Sequence, residues 1–465
     1  MDRLATRNYK LNVGIFIILV ISCVALFYSN PLGELDEIWD YNYSRGIAMG
    51  YTPYSDFNMI QMPLFFVIFS IPLRICQTLL VYRLSTAVVY AIVLFFIYLT
   101  NKRVLGSHLS LIVPTMVLLL WNRYITYNTM LLLCALILIC IHRQKVEKSS
   151  SVFLCGLIAA LSVMFRQTSG SIVLIIEVVF LFYLKSSISL KKRVLLFFAG
   201  VAIPCVSLLV YLLANNIFYD FWDNCLFSLL KFGSRTGSHP MSLLTIAVIL
   251  LIVIGLALSV RAYIKNKDQK DILYMIALSI AMMTVALPFA TPSHLAPASI
   301  VTLCTFVNSV KLDYKKISVV IKNVMLALVF MCVISVSAMD IIRHDYMGDT
   351  EFRNVPLEFS FQGHRDINSK NAYYRELGFS PVIISESKAV FSILDGTFDS
   401  PYDFSGMDSP LNYTKNLPKK TIVVISENYK EDNWQNPGEV FDYVAENYIL
   451  VDAYKGFLYY LVPEL

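Results

Sequence analysis

Apolar runs of roughly bilayer length recur from residue 11 to residue 340, and each run ends in polar residues. A transmembrane helix needs about 20 predominantly apolar residues, because a spanning backbone must satisfy its hydrogen bonds internally. The composition agrees, with 57% hydrophobic and 15% charged residues and a mean hydropathy of +0.62, whereas soluble domains carry about 25% charged residues. The sequence therefore predicts a polytopic α-helical membrane protein and excludes a soluble globular one.

The first apolar run, residues 11–29, lacks the small-residue cleavage pattern of a signal peptide. It is long enough to span, so we expect a retained helix. The chain has nine cysteines, most of them inside apolar runs and none beyond residue 332. Buried free cysteine behaves as a small hydrophobe. No Cys/His spacing predicts a structural metal site.

Lys and Arg residues are concentrated in alternate connections, and the intervening connections hold few of them. The positive-inside rule places the basic connections in the cytoplasm. This predicts about eleven transmembrane helices, with a cytoplasmic N-terminus and an extracytoplasmic C-terminus. The predicted spans are residues 11–29, 82–100, 108–122, 127–142, 151–165, 169–185, 194–214, 241–260, 272–288, 295–310 and 318–339.

Residues 62–80 are an exception, because a full span there would place the basic pair Lys102 and Arg103 outside. Pro63 and Pro72 interrupt this run, and an arginine falls within it. We therefore expect a helix that lies in or dips into the outer interface of the bilayer.

This map leaves two long outer connections, residues 30–81 and residues 215–240. The second is rich in Phe, Tyr and Trp, which suit the headgroup layer.

Beyond residue 340 the composition changes to that of a water-soluble α/β domain. Four segments rich in β-branched and aromatic residues predict strands, and an amphipathic segment predicts a helix. The strand segments read PVIIS, TIVVIS, YILVDAY and FLYYLV, and the helical segment reads GEVFDYVAENY. We therefore expect a transmembrane domain over residues 1–340 and a small extracytoplasmic α/β domain over residues 341–465.

Four acidic residues follow the first span directly: Glu34, Asp36, Glu37 and Asp40. On a helix, Asp36 and Asp40 share a face. A carboxylate beside lipid is costly unless it faces protein or a wet cavity, so such groups are functional candidates. The alternative is a solvated acidic cap at the end of the span.

A recognisable motif follows these acids. It reads Gly50-Tyr-Thr-Pro-Tyr-Ser-Asp-Phe57, then Gln61-Met-Pro-Leu64. Together with Leu35-Asp36-Glu37, it resembles the GT-C glycosyltransferases, in particular the bacterial branch akin to protein O-mannosyltransferases and the lipid A aminoarabinose transferase. That family places an acidic pair after its first span, then such a turn, then a Pro-Leu segment. Relatives often have an acidic residue where this chain has Gln61, which puts a metal site there in doubt.

Later features fit the same resemblance. They are Phe165-Arg166-Gln167-Thr168-x-Gly170 after a short span, an outer turn with Ser293-His294, and the exported α/β tail.

The resemblance implies a GT-C-like transmembrane domain. It also implies transfer of a sugar from a polyprenyl-phosphate carrier to an acceptor on the outer face of the membrane, with inversion at the anomeric carbon. A carboxylate near the acceptor hydroxyl can take its proton as the bond forms. Asp36 belongs to both readings of the acidic pair, Glu34-x-Asp36 and Asp36-Glu37, so we expect it to be the base. Glu37 would orient the acceptor or raise the pKa of Asp36.

The leaving group is a lipid phosphate, whose growing negative charge needs fixed cations. Positive-inside statistics disfavour basic residues outside, yet five candidates map there: Arg45, Arg166, Lys231, Arg235 and His294. Interfacial snorkelling is the alternative for each of them. Arg166 leads because it follows a span immediately, and Arg suits bidentate phosphate recognition. His294 could be a metal ligand, a phosphate donor or a satisfied loop histidine, and His239 has a weaker case.

Candidate acceptor or sugar contacts are Trp39, Tyr41, Tyr54 and Gln61. An interfacial aromatic belt explains the three aromatic residues equally well. The metal site is unknown, and a divalent cation such as Mg²⁺ or Mn²⁺ is left open.

The sequence thus favours a glycosyltransferase of a bacterial plasma membrane that acts on a cell-envelope glycan or a lipid-linked acceptor. Its partners would be a polyprenyl-phosphate-linked sugar, that acceptor and the bilayer, and no nucleic acid. The alternatives are a polysaccharide polymerase and, among non-enzymes, a lipid-linked glycan flippase or other transporter. Transporters tend to show related halves and ionisable residues in mid-span. Here Glu177 is the clear mid-span acid, no second half echoes the first, and the acids gather at one outer face.

Overall fold

The computed structural model describes most of the chain. The described residues are 2–29, 35–57, 59–120, 125–143, 148–183, 187–227, 242–265, 267, 269–287, 290–309, 361–384, 388–398, 410–427 and 437–463. They divide into two compact units. The first takes the described residues of Met1–Gly33, Met62–Val210 and Pro240–Asn354, and the second those of Glu34–Gln61, Tyr211–His239 and Val355–Leu465.

Helices dominate the chain up to residue 309. They are α1 (Asp2–Ser29), α2 (Leu35–Ala48), α3 (Leu64–Leu73), α4 (Leu79–Leu109), α5 (Ile112–Leu120), α6 (Tyr127–Arg143), α7 (Ser149–Phe165), α8 (Gln167–Tyr183), α9 (Leu190–Ala214), α10 (Phe218–Trp222), α11 (Leu243–Lys265), α12 (Lys270–Met283) and α13 (Pro292–Ser309).

Helices occupy the predicted spans that fall on described residues, and the last predicted span, residues 318–339, lies outside them. Within the described residues, four helical segments are long and apolar enough to cross a membrane. They are Tyr9–Phe27, Leu79–Ser107, Leu190–Ala214 and Leu243–Lys265. Helix α3 has 10 residues, about 15 Å at 1.5 Å per residue, which is too short for a full span.

Helix α4 extends beyond residue 100, near which the second predicted span ends. Helix α4 continues through Lys102 and Arg103 to Leu109, with a break in its backbone at Gly106, where φ is 72°. Lys102 donates to the Asn12 side chain of α1 (2.6 Å) and lies over the Tyr98 ring. Basic residues can thus continue a helix when their charged ends find polar partners.

The helix ends that are predicted to be cytoplasmic lie together in the first unit. Arg103 of α4 donates to the Arg143 carbonyl at the end of α6 (3.3 Å). Arg143 in turn donates to the Thr100 carbonyl and lies 3.9 Å from Asp271 at the start of α12. Alternate helix ends therefore share one side, as the predicted topology requires, whereas the orientation of that side in the membrane stays a prediction.

Glycines allow close helix contact in the first unit. A Cβ atom at Gly156 of α7 would overlap the Phe197 carbonyl of α9, and one at Gly200 would overlap the Phe153 carbonyl. Small residues let helix backbones approach where no hydrophobic effect drives association. The α7–α9 contact depends on these two glycines.

The second unit combines α2, α10 and the α/β elements of the C-terminal part. Those elements are α14 (Phe361–Glu376), β1 (Ser380–Ile384), α15 (Lys388–Leu394), α16 (Pro410–Lys415), β2 (Thr421–Ser426), α17 (Pro437–Asn447), β3 (Ile449–Tyr454) and β4 (Phe457–Leu461). All four predicted strands and the predicted amphipathic helix are present.

The four strands form one sheet in the order β1-β2-β4-β3. Strands β1 and β2 are parallel, whereas β4 is antiparallel to both β2 and β3. Residues Lys455 and Gly456, both at positive φ, make the two-residue turn between β3 and β4. Strand β2 is buried on both faces, since Val423 and Ile425 pack in one apolar cluster and the alternate residues of β2 pack in the other.

Candidate active site

Helix α2 carries the predicted catalytic carboxylates. Asp36 and Glu37 lie in its first turn and Arg45 in its last, the charge order that the helix dipole favours. Glu37 and Asp40 are 1% and 3% exposed, whereas Asp36 is half-buried. Glu34 lies outside the described residues.

Asp40 is buried and electrostatically crowded. Burial raises the pKa of its carboxyl well above the ordinary value, and the neighbouring Asp36 and Glu37 raise it further. Its Oδ2 atom has no hydrogen-bond partner among the described residues. The Asp40 carboxyl therefore holds its proton more firmly than a solvent-exposed aspartic acid does.

Replacing Asp40 with Asn should change how stability depends on pH. A carboxyl with a raised folded-state pKa binds protons more tightly in the folded chain, so stability falls as the pH rises above the ordinary Asp pKa of 3.8. Asparagine has a similar shape and stays neutral at every pH, so it does not cause this loss of stability. We therefore expect the thermal stability of D40N relative to the parent to increase as the pH rises from acid to neutral. The measurement is thermal unfolding in detergent across a pH series.

The exposed Glu439 of α17 supplies the control for this series. E439Q should show no such gain over the parent as the pH rises, because the Glu439 side chain is exposed. Parallel curves for parent and D40N would show that Asp40 does not titrate as stated.

The Gly50–Phe57 motif is a closed turn. Gly50 and Tyr54 adopt positive φ values of 100° and 72°. The Asp56 carboxylate accepts from the Thr52 amide (2.7 Å), and the Asp56 amide donates back to the Thr52 carbonyl (2.9 Å). The Tyr54 amide donates to the Phe57 carbonyl (2.7 Å). The motif's aspartate thus holds the turn together.

Tyr54, predicted to contact sugar, is 3% exposed and packed within the second unit. Its hydroxyl donates to the Gln61 carbonyl (2.7 Å) and accepts from the Cys225 thiol (3.4 Å). Its ring meets Phe221 edge-on at 5.3 Å, and burial raises the pKa of Tyr54 well above its ordinary value. These contacts give Tyr54 a packing role in this conformation.

The other predicted acceptor contacts differ in accessibility. Tyr41 is buried, whereas Trp39 is half-buried. The Oε1 atom of Gln61 is buried without a hydrogen-bond partner among the described residues. A neutral amide is a weaker cation ligand than the carboxylate that relatives often carry there, so this position gives a metal site little support.

Thr397 and Phe398 contact helix α2 and the turn that follows it. The Phe398 ring packs against Tyr51 (4.6 Å between centroids) and Phe57 (5.2 Å), and a Cβ atom at Gly46 would overlap it. The Arg45 guanidinium donates to the Thr397 carbonyl (2.9 Å). Arg45, predicted to bind phosphate, is 5% exposed and joins two distant parts of the chain.

Arg166 lies at the joint between α7 and α8. Its guanidinium donates to the Asn128 side chain and to the carbonyls of Val285 (2.8 Å) and Leu287 (3.2 Å). It also lies over the Tyr127 ring at 5.7 Å. Arg166 therefore joins the start of α6 to the segment after α12, and its half-buried side chain keeps some access to solvent.

His294 lies in the first turn of α13. Its Nδ1 atom is 3.0 Å from the Thr291 hydroxyl, and its amide donates to the same oxygen (3.3 Å). These contacts favour a satisfied histidine at a helix start, with the half-buried ring still a candidate for phosphate. Lys231, Arg235 and His239 lie outside the described residues.

An apolar groove lies in the first unit between α5, α11 and α13. Its polar lining residues include Ser293. The remaining lining is largely aliphatic, with Met116, Val117, Leu251, Ile252, Gly255, Ala296 and Ile300. The sequence showed no periodicity that predicts this groove, because its walls come from three separated helices.

Comparison with known proteins gives a likeness in structure only, since no protein family and no curated protein matches the sequence. The archaeal oligosaccharyltransferase AglB from Archaeoglobus fulgidus, solved with an inhibitory peptide and a dolichol-phosphate, superposes with a TM-score of 0.54. It is 11% identical, over 97% of this chain and 74% of AglB. ArnT from Cupriavidus metallidurans, bound to undecaprenyl phosphate, gives 0.53 at 12% identity, over 98% of each chain. The arabinofuranosyltransferase AftD from Mycobacteria gives 0.50 at 12% identity, over 97% of this chain and 40% of AftD.

All three similar structures are GT-C glycosyltransferases. Each of them covers at least 97% of this chain. The chain has the fold that these three structures share.

Proposed function

We propose that this protein transfers a sugar from a polyprenyl-phosphate carrier to a cell-envelope glycan or lipid-linked acceptor on the outer face of a bacterial plasma membrane. The observation that carries the proposal is the fold, because ArnT and AglB share it and were solved with polyprenyl phosphates. Fold alone does not fix function, so the residues of α2 must support the chemistry.

Asp36 is the proposed general base. It lies in the first turn of α2, after the first predicted span, and is half-buried, whereas its neighbours Glu37 and Asp40 are buried. Of the three acidic residues that the structure describes here, Asp36 is therefore the most open to an incoming acceptor.

The proposed reaction is a single displacement. Asp36 takes the acceptor hydroxyl proton as the new C–O bond forms at the anomeric carbon. The bond from that carbon to the phosphate oxygen breaks on the opposite face, and the lipid phosphate leaves with the electron pair. Inversion follows from this geometry.

The first unit contains an apolar groove and polar side chains that suit the polyprenyl-phosphate carrier. The apolar groove lined by α13 suits an isoprenoid tail, and Ser293, which lines it, is a polar group for the phosphate, with His294 next to it in the chain. Arg166 is a further candidate cation. Arg45 is the weaker candidate, because it is buried and donates to the Thr397 carbonyl.

The test uses the full chain in proteoliposomes with a panel of radiolabelled hexose, pentose and aminopentose polyprenyl phosphates. We expect one donor class to yield free polyprenyl phosphate and labelled product, with the matching nucleotide sugars inert. Turnover from nucleotide sugars would contradict the proposal. Movement of intact lipid-linked sugar across the bilayer without bond cleavage would instead establish the transporter alternative.

A further inference from the structure

Glu177, the mid-span acid of α8, is 2% exposed and lies among ionisable side chains of the first unit. The His142 Nε2 atom at the end of α6 is 3.2 and 3.1 Å from its two carboxylate oxygens. The Cys155 thiol of α7 points at the same nitrogen, with Sγ 3.9 Å away. The Tyr274 hydroxyl of α12 donates to Glu177 Oε1. None of these residues takes part in the proposed glycosyl transfer.

The donor atoms of His142, Cys155 and Glu177 all lie within 4.8 Å of one another, the closest such convergence of His, Cys, Asp and Glu among the described residues. A tetrahedral zinc ion with ordinary bond lengths holds its nitrogen and oxygen ligands about 3.3 Å apart and its nitrogen and sulfur ligands about 3.5 Å apart. The observed separations of 3.1 and 3.9 Å are within a few tenths of an ångström of these values. The sulfur and the carboxylate oxygen lie within 4.8 Å of each other, so rotation of these side chains would close the site.

We propose that His142, Cys155 and Glu177 bind a divalent transition metal of the zinc class inside the helical bundle. The mixed nitrogen, sulfur and oxygen set suits zinc and disfavours Mg²⁺ or Ca²⁺, which prefer oxygen.

Charge balance supports this site in a low-dielectric environment. The metal displaces the Cys155 thiol proton, and any proton shared by His142 and Glu177 leaves too. The two positive charges of the ion are then matched by one thiolate and one carboxylate, with a neutral imidazole. A buried unit without net charge avoids the cost that an isolated charge would incur.

Neighbouring side chains hold the ligands in place. Tyr274 fixes the Glu177 carboxylate, as outer hydrogen bonds do in metal sites. Its ring also lies under the His142 ring, with centroids 3.9 Å apart and a 32° angle between planes. The Phe180 ring packs edge-on against Tyr274 at 5.0 Å. The metal would thus crosslink α6, α7 and α8, which sequence spacing could not predict because each helix supplies one ligand.

The test is direct metal binding by the full chain, purified without a histidine tag in detergent. We expect about one zinc ion per chain by mass spectrometry after growth in zinc-supplemented medium. After chelation, cobalt(II) should restore a thiolate-to-cobalt charge-transfer band in the near ultraviolet and tetrahedral bands in the visible. C155S should lose the charge-transfer band, and E177Q should weaken cobalt affinity at least tenfold.

The matched control is C134S. Cys134 is also a buried free cysteine, but it lies in α6 and outside the cluster. It should keep both the metal and the charge-transfer band. Parent protein without metal, or a band that C134S removes as fully as C155S, would overturn the proposal. The parent measurement needs no variant to fold, and it stands apart from glycosyl transfer.

Discussion

Replacing Asp36 with Asn should reduce turnover by about 10²–10⁴-fold, the usual contribution of a positioned general base. The KM for the lipid donor should stay near the parent value, because proton transfer matters only in the transition state. The measurement is release of free polyprenyl phosphate from the donor class that the panel assay identifies.

The matched control is the E439Q variant. Glu439 also lies in the first turn of a helix, α17, and is exposed. Both substitutions remove a first-turn carboxylate, whose interaction with the helix dipole contributes about 0.3–1 kcal/mol. E439Q should therefore lose similar stability and keep its turnover. A D36N enzyme that transfers sugar like the parent would exclude Asp36 as the base.

Replacing Gly46 with Val should destabilise the second unit and lower turnover. The new side chain would overlap the Phe398 ring, which Tyr51 and Phe57 hold from other directions. Overpacking of a filled site costs about 1–3 kcal/mol, here at the helix that carries Asp36. The measurement is thermal unfolding in detergent, together with the transfer assay.

Two variants separate this clash from the intrinsic effect of replacing glycine by valine in a helix. Gly14 of α1 has open space around its Cβ position, so G14V should carry that intrinsic effect alone, which slightly favours valine. F398A, added to G46V, should recover part of the lost stability, because it removes the overlapping ring. A G46V protein as stable as G14V would show that Phe398 moves aside freely.

Local sequence pattern was sufficient to predict the four C-terminal strands and helix α17. PVIIS, TIVVIS, YILVDAY and FLYYLV all form strands, because β-branched and aromatic residues suit a pleated, half-buried surface. Their order β1-β2-β4-β3 did not follow from the sequence, since pairing depends on contacts between distant segments.

Local sequence pattern was less informative about where helices end and about which side chains are buried in the candidate active site. Lys102 and Arg103 predicted a connection, yet they continue α4, because neighbouring helices supply polar partners for their charged ends. The acidic residues after the first span lie on helix α2, with Asp36 and Glu37 in its first turn, which is the condition under which Asp36 and Asp40 share a face. The burial of Tyr54 by Phe221 and Cys225 depends on a segment about 170 residues away, so no local signal could have predicted it.

The contact between Arg45 and Thr397 also constrains how the chain matures. These residues are 352 positions apart, so at roughly 5–20 residues per second their syntheses are separated by about 18–70 s. During that interval α2 has emerged without the residues that pack against it. A chain that ends before residue 397 would therefore lack the hydrogen bond from Arg45 to the Thr397 carbonyl and the packing of Phe398 on α2.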